Sequence, residues 1–129
     1  MLSKKELQFL NNHELCRLAT ASKDGMPHLV PVIYALDEEN VVIAIDYGTK
    51  KLANLQENLN VALVVDEYRP NKAVMIQGKC EILERGPEYL RLLKILQEKF
   101  TFYRMHPWGE GESPILKIKP LNGVSWGLK

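Results

Sequence analysis

Apolar residues recur along the chain with two different periods, and the switches between them divide it into short elements. The first element is helical. Ser3 followed three residues later by Glu6 is a capping box, and Leu2 with Leu7 fits a hydrophobic staple. Two strand-like runs follow, "LCRLATA" and "PHLVPVIYAL", joined by "SKDGM", in which Asp24-Gly25 is a strong turn signal. "VVIAID" comes after the turn-like "DEEN" as a third strand. "TKKLANLQENL" changes to the helical period and places Leu52, Leu55 and Leu59 on one face. "NVALVVDEY", rich in β-branched residues, is a fourth strand that "RPNK" breaks. In the fifth, "AVMIQGKCEILE", Cys80 and Ile82 alternate with Lys79 and Glu81, which implies one wet face. Gly86-Pro87 opens the longest helix, with an apolar stripe of Tyr89, Leu92, Leu93, Leu96, Phe100 and Tyr103. "MHPWGEGESP" reads as a loop, "ILKIKP" as a final strand and "LNGVSWGLK" as a tail. Six short strands with antiparallel turn signals and a few helices predict a mainly β protein, a six-stranded barrel with appended helices.

Composition narrows the function. The 129 residues are the length of one ordinary domain, expected to span 1–129, and 46% hydrophobic with 26% charged residues is the globular pattern. A net charge of +1 lacks the basic excess of a nucleic-acid binder. No apolar run approaches membrane-spanning length, and "MLSKKELQFL" lacks the apolar core of a signal peptide, so the expectation is a cytoplasmic protein with no membrane partner. Cys16 and Cys80 sit in strand-like stretches and read as buried free thiols. His13, His28 and His106 have no metal-ligand spacing, so no metal site is expected. Phosphate-loop and dinucleotide fingerprints are absent, no serine lies in a nucleophile elbow, and no pair of carboxylates stands out, which leaves the catalytic residues unassigned.

Two features carry chemistry. In "GTKKLANL", Thr49 can cap a helix whose first two positions are Lys50 and Lys51, at the end where the helix already presents partial positive charge. The first helix carries Lys4 and Lys5 at the matching places, but Glu6 follows them, whereas Leu52 and Ala53 follow Lys50 and Lys51. The second feature is Arg17, alone in an apolar strand. Buried, it needs an anionic partner; at an edge, its head group snorkels to water. If Arg17 and the two lysines converge, they make a phosphate cradle. Trp126 near the end of the chain reads either as a packing anchor or as a wall for a planar ring.

Taken in order, "RLATASKDGMPHLVPVIY", "AIDYGTKKLANLQENLNVALVVDEY" and "VMIQGKCEIL", with the terminal "SWGL", resemble the pyridoxamine 5'-phosphate oxidase-like family of flavin-binding split barrels. The most specific part is Asp24-Gly25-x-Pro27 combined with Lys50-Lys51-x-x-Asn54-Leu55. The resemblance implies a six-stranded antiparallel split barrel, homodimeric, with FMN in a groove at the dimer interface. It implies that Arg17, Lys50 and Lys51, with Thr49 at the cap, hold the flavin phosphate. The ring edge would lie along main chain at Val32–Ile33 and Ile45–Asp46, Trp126 would border the ring, and the loop with His106 and Trp108 would cover the site. The flavin then performs the redox chemistry with a small-molecule substrate or electron donor. True pyridoxamine phosphate oxidases carry an arginine-and-histidine motif after the terminal tryptophan; here "WGLK" stands in that place, and oxidation of pyridoxamine phosphate is not expected. Relatives that use a deazaflavin or bind haem supply the alternatives, as does a non-catalytic flavin-binding protein. For haem, His106 is the candidate ligand.

Overall fold

The runs Leu15–Ala21 (β1), Pro27–Ile33 (β2), Ala35–Asp37 (β3), Asn40–Ala44 (β4), Asn60–Glu67 (β5), Lys72–Leu83 (β6) and Ile115–Trp126 (β7) form one antiparallel sheet in a computed structural model that describes residues 1–129. The sheet order is β2-β1-β5-β6-β7-β4-β3. Its two end strands are consecutive in sequence, separated only by Tyr34, so the sheet curls back on itself as a barrel. That junction is why there are seven strands rather than the expected six. The run "PHLVPVIYAL" pairs with β1 through Ile33, bends at Tyr34, and pairs with β4 from Ala35 onward.

Pro27 and Pro31 suit the terminal strand of the sheet. The register puts them opposite Ala21 and Arg17, at positions whose missing N–H would face away from β1. Proline is tolerated in sheets at such places. The hairpin between β1 and β2 turns at Gly25, whose φ of 89° is open to glycine without strain.

Other expectations shift at element ends. The segment read as a tail continues the last strand, because β7 pairs with β6 as far as Trp126 opposite Ala73, with an irregularity between Gln77 and Gly78. The stripe expected to run through Tyr103 in one helix is broken at Phe100, where φ −116° and ψ 113° end one helix and begin another. The two pieces are Pro87–Lys99 (α3) and Thr101–Met105 (α4). Leu59 lies beyond the helix Lys50–Glu57 (α2) and is exposed; Leu52, Asn54 and Leu55 form its buried face instead.

The core has two parts. Inside the barrel, alternate residues such as Leu18, Ile43, Leu63, Ile76 and Ile118 meet Phe9 and Leu10 of the first helix, Lys4–Asn11 (α1), which closes one end. Ser3 and Glu6 of α1 make the expected capping box. On the outside, α3 lays Tyr89, Leu92 and Leu96 on Ala35, Val42 and Ile115. Each such leucine contributes about 1.5–3 kcal/mol through burial. Cys16 and Cys80 are buried and free. No helix is long and apolar enough to cross a membrane.

Candidate functional site

The strands β3 and β4 pair only through Val42, and β2 has no partner on the side away from β1. The sheet is therefore split between the end of β2, at Val32 and Ile33, and the end of β4, at Ala44, followed by Ile45 and Asp46. An edge strand offers unpaired backbone N–H and C=O groups. A cavity of about 460 Å³ opens there, lined on the strand side by these five residues. That is within the usual range for a small-molecule site, roughly 300–1,000 Å³. Ile45 is fixed by backbone and side-chain bonds: its N–H donates to the Pro114 carbonyl at 3.0 Å, and its carbonyl accepts from the Ser113 hydroxyl at 2.5 Å.

One rim of the cavity is the start of α2. Gly48, at φ 78°, turns the chain from β4 toward the helix. The Thr49 hydroxyl donates to the Asp46 carbonyl at 3.0 Å and accepts from the Leu52 N–H at 3.4 Å, tying the helix start to the split. Lys51 lines the cavity and Lys50 precedes it, exposed. The first turn holds no acidic residue, and neither lysine takes part in an ion pair. In α1 the equivalent place holds Glu6, whose carboxyl is held below its usual pKa by the Ser3 backbone N–H. Asn54 is buried and donates to the Thr20 hydroxyl at 3.1 Å, which clamps α2 to β1.

The other side of the cavity is α4 and the loop after it. Phe102, Tyr103, His106 and Trp108 line it, with Glu112 and Ser113 beyond. Rings meet in sequence: Phe102 with His106 at 4.7 Å, Phe102 with Tyr103 at 6.0 Å, and Tyr103 edge-on to Trp108 at 4.8 Å. Burial, and secondarily the Asp46 carboxylate, hold the Tyr103 phenol above its usual pKa, so its proton stays on. The expected loop with His106 and Trp108 thus borders the cavity. Tyr103 falls on the apolar stripe and Phe102 off it, so the sequence pattern marks neither as a wall residue; the density of aromatics between 100 and 108 is the available signal.

The structure brings together Val32, Ile33, Ile45, Asp46 and Lys51 around one cavity, with Thr49 and Lys50 at its edge. Arg17 and Trp126 lie outside it. Arg17 is on the outer sheet face, about half exposed, and ion-pairs with Asp66 rather than with a buried anion. The Trp126 indole donates to the Asn71 side chain at 3.1 Å. No group of three or more His, Cys, Asp or Glu residues is placed to hold a metal.

A family model described as Pyridoxamine 5'-phosphate oxidase matches residues 2–121. A curated relative, the 5a,11a-dehydrotetracycline/5a,11a-dehydrooxytetracycline reductase of Streptomyces rimosus, is 37% identical over 136 residues, covering 98% of this chain and 84% of that protein. Among solved structures, HutZ, the haem storage protein of Vibrio cholerae, superposes with a TM-score of 0.85 at 16% identity, covering 99% of this chain and 97% of that one. An FAD-binding protein of Mesorhizobium loti gives 0.79 at 23%, covering 96% and 94%. At those identities the two structures speak for the fold alone. The matched family model, spanning nearly the whole chain, and the 37% identical relative show that the protein belongs to the pyridoxamine 5'-phosphate oxidase-like split-barrel family.

Proposed function

We propose that the protein is a flavin-dependent reductase that holds FMN in the split of its barrel and acts on a small molecule. One observation carries the reading: an uncompensated pair of lysines at a capped helix start opens on the same cavity as the unpartnered edge of β2 and the chain at Ile45–Asp46. The donor set fits a phosphate dianion. Thr49 supplies a hydroxyl, Lys50 and Lys51 supply positive charge, the first-turn amides have no helical acceptor, and no carboxylate competes within that turn. Ile33 on the open edge of β2, with Val32, Ile45 and Asp46 beside it, lines a place for the edge of a planar ring. The bound flavin would supply two-electron transfer; the chain would bind and orient it and keep water from one face. The relative named as a reductase supports that class of reaction.

A homodimer belongs to the same proposal. The outer sheet face exposes Leu29 on β2 and Val124 and Trp126 on β7, apolar side chains that a second copy would cover. Arg17 and Trp126 lie on that face, and we assign them to the groove formed with the second copy rather than to the cavity within one chain.

The test is a titration of FMN and riboflavin into wild-type protein and the Lys50→Ala/Lys51→Ala variant. Loss of FMN affinity with riboflavin unaffected supports the phosphate site; unchanged FMN affinity, or equal loss for both ligands, overturns it. His106 on the cavity wall favours a second reading, haem. The absorption spectrum of the purified protein separates the cofactors: flavin bands for FMN, a Soret band for haem, and a blue-shifted spectrum for a deazaflavin.

A further inference from the structure

Phe102 is 63% exposed on a five-residue helix that buries none of its own side chains. An exposed apolar side chain is ordinary by itself; this one lies on the cavity wall, its ring against those of His106 and Tyr103. Yet α4 is not loosely hung. Arg104 reaches back with one nitrogen to the carbonyls of Gln97 (2.5 Å) and Glu98 (3.0 Å), the last turn of α3, and with another to the Thr101 hydroxyl (2.9 Å). At the far end, the Trp108 indole donates to the Tyr89 hydroxyl at 2.8 Å. The pair of rings Phe102 and His106 is therefore held open at both ends, facing a cavity whose other side is Val32, Ile33, Ala44 and Ile45, with Asp46 and Lys51 at its end.

We infer that Phe102 and His106 are the substrate-facing wall of the cavity and that they select planar, uncharged ring compounds by stacking. This rests on the flavin reading of the same cavity, whose ring is assigned to the strand side. A ring presented by a rigid support loses little freedom when a flat partner stacks on it, and aromatic pairs prefer offset-stacked or edge-on contact. A compact saturated molecule of similar size makes no such contact. Arg104 acts as a positioning residue for this wall.

The experiment uses full-length protein loaded with oxidised FMN, so that no turnover occurs. Menadione, a planar quinone, and camphor, a compact saturated ketone, are titrated while the flavin absorption is followed, and FMN affinity is measured separately by fluorescence. Wild type should bind menadione more tightly than camphor. Phe102→Ala should weaken menadione by about three- to tenfold, leave camphor unchanged and leave the FMN dissociation constant within about twofold, while Phe102→Trp restores menadione binding. Arg104→Ala should act as Phe102→Ala does. Equal binding of the two ketones by wild type, menadione binding indifferent to Phe102→Ala, or a fall in FMN affinity in step with it would each overturn the assignment, the last by giving the wall to the cofactor. Wild type that takes no FMN at all sinks the flavin reading first and this inference with it.

Discussion

The hydroxyl of Tyr89 receives the Trp108 indole N–H at 2.8 Å and itself donates to the Ser113 carbonyl at 2.5 Å, joining the first turn of α3 to both sides of the loop at the cavity. Tyr89 is fully buried, and burial raises its pKa, so this donor stays protonated. Tyr89→Phe removes one oxygen and strands two polar groups. A buried group left without its partner costs about 1–3 kcal/mol. Urea unfolding should show a loss of that size, and a quenched-fluorescence change for Trp108 should accompany it.

Lys50→Glu is expected to separate stability from binding. A negative charge in the first turn of a helix stabilises it by about 0.3–1 kcal/mol, and the wild-type lysine does the reverse. The ligand-free variant should melt at a slightly higher temperature than wild type while binding FMN more weakly. Equal or lower melting temperature would count against the view that the lysine pair is kept at a cost to folding.

Asn54→Ala should destabilise by about 1–3 kcal/mol, because the buried Thr20 hydroxyl loses its donor. FMN affinity should fall as well, since this contact sets the seat of α2 on β1. Circular dichroism melts and the same FMN titration would read both effects; a stable variant with intact affinity would show that the contact is dispensable.

Acid should loosen the attachment of α3 to the sheet. Arg91 grips both oxygens of Asp37, at 2.9 and 2.7 Å, and these bonds hold the Asp37 carboxyl below its ordinary pKa. A carboxyl whose folded pKa is depressed adds stability above its unfolded value, about 4, and loses it as pH falls through the folded value. Stability measured from pH 6 downward should fall below about pH 4 in wild type, and Asp37→Asn should be less stable at pH 6 with a shallower acid loss.

Burial pushes the thiols of Cys16 and Cys80 up to about 12, which keeps them from forming thiolates near neutrality. Native protein at pH 8 should resist iodoacetamide, with both cysteines alkylated only after denaturation, as judged by intact mass.

Most of the barrel was legible in the sequence because period-two alternation and turn residues are local signals. Leu15–Ala21 and its Asp24-Gly25 turn fall where the pattern puts them. The bend at Tyr34 was not legible, since no glycine or proline marks it; it is imposed by β1 on one side and β4 on the other. The end of β7 was hidden for the opposite reason: Asn122 and Gly123 look like turn residues, yet the neighbouring β6 supplies partners for both. At the site, the capped lysine pair could be read from charge and helix polarity alone. The aromatic wall could not, because it exists only where α3 stops at Phe100 and the chain changes direction.

The open side of β2 has a further consequence, for self-association. Pro27 and Pro31 deny a passing strand two of the amides along that edge, but Ile33, which faces outward as they do, has no such guard. An unguarded strand edge is a template for adding another chain. A planar molecule lodged along Val32–Ile33 would occupy that template, so the ligand-free protein should be the form that aggregates on storage or heating, and the loaded form the one that stays dispersed.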